Sequence, residues 1–474
     1  MAHRISCDME NEREINVGYK EIYIRYRHQI LEGRLKPGDR VPAIRVLANE
    51  LQVARKTVEA AYEILIGEGY FVSQGAKGTR VNPALNLGEA ALLSTAPPST
   101  VLEHPVIESK GELRLGIPAL DEFPHKKWLL ISGKAARTLR PDEMIMPAIM
   151  GYPPLREAIA SYLNISRGLN CQPEQIFITT GYRANLRLIL AVLAHPHDKV
   201  LFEDPGYFFG QKLLKRIAPN LNYVPVDRDG VDVDFLQRYH ADARFAVVTP
   251  THHSPLAVTL SLPRKHQLLE WAQQNNSWII EDDYDGEFHY TRKVIPALKS
   301  LDVHDRVIYT GTFSKTIMPA MRVGYLVMPQ ETVERFRELG EILETGMPLL
   351  PQKILAQFLS EGHFYRHIKK MRILYQQRRR MMLDALQHCF PQLFEFELTD
   401  GGMHIVAFLR LGIQDVALAE IWQRHQLRVL PLSGWYTQTQ KRYGLVVGYT
   451  NIRSYEQAVG LLEQVVEETG ALMR

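Results

Sequence analysis

The sequence predicts an α/β protein: a small helical unit closing in a β-hairpin, then a large unit in which helices flank a mostly parallel sheet. Three observations carry this. Residues 18–81 are dense in helical periodicity. Residues 82–112 place Pro83, Pro97, Pro98 and Pro105 among small residues with no sustained period, which reads as a linker. From Leu113 onward, apolar runs of strand length alternate with helical stretches. The 474 residues suit about three domains at ~150 residues each. The pattern bounds a small unit at 13–83, a linker at 84–112 and a large domain at 113–474.

The first helix is VGYKEIYIRYRHQILEG, where Ile22, Tyr26 and Gln29/Ile30 recur at helical spacing and Gly33 ends the helix. Pro37-Gly38 breaks the chain, and Pro42 starts a second helix, AIRVLANELQ, with Ile44, Leu47, Ala48 and Leu51 on one face. After a turn around Val53, RKTVEAAYEILIGEG forms a third helix with Val58, Ala61/Tyr62, Leu65 and Ile66 turned inward. YFVSQGAKGTRV reads as a hairpin around Gly75-Ala76-Lys77-Gly78. Three helices and a hairpin make a winged helix-turn-helix.

Composition leaves the partner open. With 46% hydrophobic and 23% charged residues, a collagen, a low-complexity chain and an acidic disordered protein are excluded. Cys7, Cys171 and Cys389 give neither a disulfide framework nor metal-ligand spacing, so a reducing compartment and no metal are expected. The N-terminus has no apolar signal-peptide core, and no apolar run approaches the ~20 residues that cross a bilayer. A cytoplasmic protein without a membrane partner is expected. The net charge is +3, but residues 18–81 hold 11 basic against 7 acidic residues, a net of +4, and the rest holds 45 against 46. The positive excess therefore belongs to the small unit, which admits nucleic acid as a partner without requiring it.

Position narrows the choice. Arg55, Lys56 and Thr57 fall at the start of the third helix, where a recognition helix meets base edges and phosphates. Arg45 on the second helix and Lys77 on the wing can reach phosphates or the minor groove. Any one of them is more often a solvated charge. Their coincidence with turn, helix start and wing favours a double-stranded DNA operator as partner.

In the large unit, QIFITTG, DKVLFED, ARFAVVTP, SWIIEDD and DRVIYTGT are strands that end in polar or glycine-bearing loops, where open α/β sheets bind ligands. In GTFSKTIMPAMRVGYL, Lys315 at a strand end can form a Schiff base with a phosphate-bearing aldehyde, with Thr312, Ser314 and Arg322 on the phosphate. A Ser-Lys dipeptide alone carries no weight. In WIIEDDYDGEFHY, Asp282 suits a pyridinium nitrogen and Tyr284 the ring's phenolic oxygen. Four carboxylates (Glu281, Asp282, Asp283, Asp285) keep a metal or a merely solvated acidic loop open. ITTGYRANLRLIL offers backbone N–H groups at Gly181 and Tyr182 to an anion. In EDPGYFFG, Tyr207 can stack on an aromatic cofactor, or sit in the core.

GRLKPGDRVPAIRVLANELQVARKTVEAAYEILIGEGYFVSQGAKGTRV resembles the DNA-binding domain of the GntR superfamily, which usually carries Ser where Ala54 stands. TTG, EDPGY, EDDYD and GTFSK in this order, with GYPPLREAIASYL, TPTHHSPLAVTLSLPRK and DGGMHIVAFL, resemble fold-type I pyridoxal 5'-phosphate (PLP) enzymes of the aminotransferase class from about Leu113 onward. That resemblance implies a smaller α+β C-terminal subdomain and PLP as cofactor. It implies Lys315 as the lysine of the internal aldimine, Asp282 on the ring nitrogen, Tyr284 on the ring oxygen, Arg322 and Thr312 on the phosphate, and Tyr207 near the ring. The fusion of the two resembles the MocR/GabR regulators. It implies a homodimer, head to tail, with PLP or a small amino compound as effector.

Two stretches depart from the family pattern. THHSPLAV replaces the common HQFPTG, putting Ser254 in place of an aromatic residue and Ala257 in place of glycine. In YGLVVGYTNIRS, Val446 stands where many aminotransferases place a carboxylate-clamping arginine, with Arg442 and Arg453 nearby. The reading is a PLP-dependent DNA-binding transcriptional regulator sensing through Lys315, not expected to be an efficient enzyme though transaminase half-reactions stay open. The alternative is an active PLP-dependent aminotransferase with an accessory DNA-binding domain.

Overall fold

The computed structural model describes residues 18–85, 111–290, 295–343, 346–397, 399, 401–410 and 414–472. They form two compact units, one within 18–85 and one within 111–472. Most of the linker expected over 84–112, and residues 13–17 of the small unit, lie outside the described residues.

In the small unit, α1 (Tyr19–Leu31), α2 (Ile44–Glu50) and α3 (Arg55–Gly67) precede an antiparallel hairpin of β1 (Phe71–Ser73) and β2 (Thr79–Val81). Ile22, Tyr26 and Ile30 of α1 meet Leu47 and Ala48 of α2 and Val58, Ala61, Tyr62 and Leu65 of α3 in one core. Tyr26, Tyr62 and Phe71 pack edge to face at 5.2–5.8 Å, welding helix to wing. The Tyr62 hydroxyl donates to Pro42 O at 3.0 Å, fixing α3 to the turn before α2. Ile66, expected inward, is 38% exposed: it lies one residue past Leu65, beyond the inward stripe. The wing turns through a 3-10 element, Gly75–Lys77, with Gly75 and Gly78 at φ +59° and +89°, where a side chain would be strained.

In the large unit, α4 (His125–Arg137) and α5 (Pro153–Ser166) lead into β3 (Ile176–Thr179), α6 (Tyr182–Leu193), β4 (Lys199–Asp204), α7 (Phe208–Ile217), β5 (Asn220–Asp227), β6 (Gly230–Val231) and α8 (Val233–His240). β7 (Phe245–Val248), α9 (Leu262–Gln274), β8 (Trp278–Asp283), β9 (Val307–Thr312) and β10 (Gly324–Val327) complete an eight-stranded sheet of order β3-β10-β9-β8-β7-β4-β5-β6. β9, β8, β7, β4 and β5 are mutually parallel, and β3 shares their direction. β10 runs against β9 and β3, and β6 against β5. Both faces are buried, as the near-continuous apolar runs require. Phe202, Val247, Ile280 and Ile308 pack on one side, and Leu201, Ala246, Ile279 and Val307 on the other.

The helices α10 (Val333–Leu343), α11 (Leu349–Ser360) and α12 (His363–Cys389) lead to the C-terminal subdomain. There β11 (Phe394–Phe396), β12 (His404–Leu409), α13 (Asp415–Arg424), β13 (Leu430–Pro431), β14 (Gly444–Gly448) and α14 (Tyr455–Leu472) build an antiparallel sheet of order β11-β12-β14-β13 backed by helices. Among the described residues, no helix is long and apolar enough to cross a membrane.

Candidate cofactor site and nucleic-acid interface

The C-terminal ends of the parallel strands converge on one crevice, the place where open α/β sheets bind ligands. Strand pleat sorts the carboxylates of β8. Glu281 accepts from the backbone N–H of Leu298 and Lys299, both at 2.8 Å. Asp283 accepts from Arg167 Nε at 2.8 Å and from the Tyr309 hydroxyl at 2.6 Å, and Arg167 also bonds Thr251 at 2.9 Å. Just beyond the strand, Asp285 faces His252 Nδ1 at 3.0 Å. The intervening Asp282 is buried, and among the described residues nothing donates to it. Burial, with Asp283, Glu203 and Asp285 adding to it and Lys315 opposing, pushes its pKa well above the carboxylate range. The merely solvated loop is thus excluded, and among the described residues no group of side chains is arranged to hold a metal.

The hydroxyl of Tyr284 is buried without a hydrogen-bond partner. Burial, then the charges of Asp285 and Asp282, raises its pKa well above that of an ordinary tyrosine. Lys315 follows the end of β9, and its Nζ donates to Gly116 O at 3.0 Å. Burial lowers its pKa, opposed by Asp285 and Asp282. Asp282, Tyr284 and Lys315 therefore face one another electrostatically.

A cradle lies beside them. Thr179 ends β3 and its hydroxyl accepts from Gly181 N at 3.1 Å, while Asn185 ties α6 to Tyr325 O at 3.0 Å. Gly181 has φ +114°, and a Cβ there would sit 3.6 Å from Arg322 Nη2 and 4.0 Å from Thr312 Oγ1. Arg322 donates to Thr180 O at 2.7 Å, and the Ser314 N–H donates to Thr312 Oγ1 at 3.1 Å. Gly181, Thr312, Ser314 and Arg322 thus gather at the start of α6, where backbone N–H groups favour an anion. Tyr182, which opens α6, and Tyr207 pack edge to face with ring centroids 5.6 Å apart. Burial raises the pKa of both, and the charge of Asp282 adds to it.

The departing loop has its own geometry. Ala257 is buried at φ +58°, the left-handed region that favours the glycine it replaces. Val446 lies in an apolar cluster with Leu256, Val406, Phe408, Leu432 and Trp435, against which Leu115 and Tyr207 pack. Neither neighbouring arginine substitutes for a clamp. Arg442 stacks 3.7 Å over Phe408 and pairs with Glu397 at 2.5 Å, and Arg453 lies 3.6 Å from Asp121.

The small unit presents its basic residues quite differently. Arg45 near the start of α2, Arg55 and Lys56 opening α3, and Lys77 in the wing are exposed; Thr57 is half-buried. Arg55 makes one surface pair with Glu59 at 3.2 Å. Ala54 precedes α3 in extended conformation with no side-chain cap, so the first N–H groups of that helix are left without the hydroxyl a serine would bring.

Three roles escaped the sequence reading. Arg167 neutralises Asp283 and so leaves Asp282 as the carboxylate of the crevice. Asp204 accepts from the N–H groups of Thr437, Gln438 and Thr439 at 2.7–2.8 Å, tying β4 to the C-terminal subdomain. Gly116 supplies a backbone carbonyl to Lys315, and no side chain signals it.

Comparison with known proteins agrees with both units. Residues 18–81 match the gntR family of bacterial regulatory proteins, and residues 122–445 match aminotransferase class I and II. The chain is 30% identical to the probable rhizopine catabolism regulatory protein MocR of Rhizobium meliloti, covering 96% of this chain and 95% of that protein. It is 31% identical to the pyridoxine biosynthesis regulator PdxR of Corynebacterium glutamicum, covering 89% and 90%. An archaeal alanine:glyoxylate aminotransferase structure superposes with a TM-score of 0.70 at 27% identity, over 76% of this chain and 91% of that one. The chain belongs to the MocR-type helix-turn-helix transcriptional regulators, in which a GntR DNA-binding unit is fused to a class I and II aminotransferase domain.

Proposed function

We propose that the aminotransferase domain of this regulator binds PLP at Lys315 and that PLP, or a small amino compound meeting it there, is the signal. One observation carries the reading. Two residues apart at the end of β8, Asp282 is a buried carboxylate of raised pKa and the Tyr284 hydroxyl is buried without a partner, beside a lysine of lowered pKa. A ring nitrogen suits the carboxylate and a phenolic oxygen the hydroxyl, so the residues present fit this cofactor. Bound PLP supplies an electrophilic aldehyde and an electron-withdrawing ring.

The chain's own groups supply the rest. Asp282 holds a proton on the ring nitrogen, Tyr284 donates to the ring oxygen, and Lys315 presents its amine. Thr312, Ser314, Arg322 and the backbone at Gly181 and Tyr182 hold the phosphate. Tyr207 and Tyr182 keep water from the ring face. The apolar surroundings of Val446 support a sensor whose ligand is not clamped by an arginine at that position.

In the same reading, residues 13–83 form the DNA-binding domain, 84–112 the linker and 113–474 the effector and dimerisation domain of a cytoplasmic homodimer, head to tail. Arg55, Lys56 and Thr57 meet the major groove, and Arg45 and Lys77 the backbone or minor groove. Half-sites then lie about 34–36 Å apart or at multiples of that. The test is titration of purified protein with PLP, followed by absorbance and by operator binding. A visible band with altered operator affinity supports the reading; no band, or a band with unchanged affinity, refutes it. The convergence of Lys315, Asp282 and Tyr284 also favours a second reading, an active aminotransferase, which sustained keto-acid production from an amino acid would establish.

A further inference from the structure

The Gly116 carbonyl that receives Lys315 Nζ lies 199 positions earlier in the chain. The approach is close: Gly116 has φ +67°, and a Cβ there would come 2.2 Å from Nζ. Gly116 sits in a strap, residues 111–122, through which the chain passes from the linker into the large unit.

The strap's other ties run to the C-terminal subdomain and α12. Glu112 N–H donates to Gln426 O at 2.9 Å, and Glu112 O accepts from Arg428 N at 2.8 Å. Leu113 O accepts from Gly448 N at 3.1 Å. Ile117 O accepts from the Thr450 hydroxyl and from Asn451 Nδ2, Ala119 N–H donates to the Tyr375 hydroxyl at 2.9 Å, and Asp121 pairs with Arg378 at 2.7 Å. Among these, the Lys315 bond is the tie to the loop between β9 and β10 of the large sheet.

We propose that Gly116 is a positioning residue for Lys315 and that the strap in which it sits responds to the state of that lysine. The proposal rests on the reading of Lys315 as the cofactor lysine. With its amine free, Nζ donates to Gly116 O and holds the strap to the sheet. When the neutral amine condenses with an aldehyde, a C=N bond forms and the aldehyde oxygen leaves as water with the two amine hydrogens; nothing is oxidised or reduced. The nitrogen then keeps no hydrogen for Gly116. The strap loses its tie to the sheet while keeping those to the C-terminal subdomain.

Hydrogen exchange on the full chain tests this, read at the strap amides in wild type, Lys315→Ala and Lys315→Arg, each with and without PLP. A hydrogen bond from a charged donor is worth roughly a tenfold shift or more in local opening. Without PLP, Lys315→Ala is expected to exchange the strap about tenfold faster than wild type, and PLP moves wild type the same way. Lys315→Arg keeps a donor that cannot condense, and is expected to stay slow with and without PLP. Wild-type exchange in Lys315→Ala, or a fast strap in Lys315→Arg, overturns the proposal. A visible band with PLP but an unchanged strap overturns it too, whereas absence of any band in wild type refutes the cofactor reading and leaves the Lys315→Ala arm to decide the strap.

Discussion

The two units hold their candidate functional residues in opposite ways. Arg55, Lys56 and Lys77 stand in water at a helix start and a turn. Asp282, Asp285 and His252 are buried, with Tyr284 and Lys315 beside them half-covered. An exposed cation costs the fold little and acts through a salt-screened field. A buried carboxylate destabilises the fold unless something answers it, and in the proposed reading part of that answer is a ligand. In that reading the first unit recognises by what it displays and the second by what it lacks.

The largest effect expected from this contrast is loss of a function outright. Lys315→Ala leaves no amine to condense, so PLP should produce no new visible band at any concentration; a band that survives would remove Lys315 from its role. Next comes the support beneath the crevice. Arg167→Ala strands Asp283 in a site where both side chains are 2% exposed. Breaking such a pair from one side costs about 3–5 kcal/mol, so the denaturant midpoint of the large unit should fall sharply. A midpoint shift no greater than that of a surface substitution would show that Asp283 finds another partner.

Smaller and of a different kind is the effect on the displayed residues. Arg55→Ala should weaken operator binding by about 1–3 kcal/mol if it reads a base, or lower the salt slope by about 0.9 if it meets a phosphate. The fold should not notice, since its ion pair with Glu59 is exposed. Unchanged affinity and slope together would take Arg55 out of the interface.

What could be read in the sequence follows the same division. Helix starts, the wing and the strand-end motifs are local, so spacing placed Arg55 at a helix start, Lys77 in a turn and Asp282 and Lys315 at strand ends, while the roles expected of the last two came from the family resemblance. The inward face of α3 was legible to within one residue, the limit of a 3.6-residue period sampled over four turns, and Ile66 fell on the wrong side of it. Other roles depend on contacts that no local pattern encodes. Arg167 meets Asp283 across 116 positions, and Asp204 meets Thr437 across 233. The reversed direction of β10 was equally hidden, because an apolar run buried on both faces carries no mark of direction.

The smallest effect expected is also the most diagnostic of buried charge. Glu203 accepts from Thr249 N–H and hydroxyl and lies 3.5 Å from His253 Nε2, with both side chains nearly inaccessible. Burial raises Glu203 from 4.5 to about 7, so its stabilising share is complete below pH 4.5 and is lost as pH rises through about 7. Burial lowers His253 from 6.5 to about 3, so its share is complete above pH 6.5 and is lost as pH falls toward 3. Between pH 4.5 and 6.5 the two slopes oppose and largely cancel. Glu203→Gln keeps the shape but removes the acid's slope, leaving that of the histidine. The variant should therefore lose stability relative to wild type as pH falls from 6.5 to 5, by about 1–2 kcal/mol, read from urea midpoints. Glu281 and Glu287, also raised to about 7, are present in both proteins and drop out of the difference. A difference that does not vary with pH would mean that Glu203 is ionised in the folded protein, and that the crevice tolerates more buried charge than the contrast between the units allows.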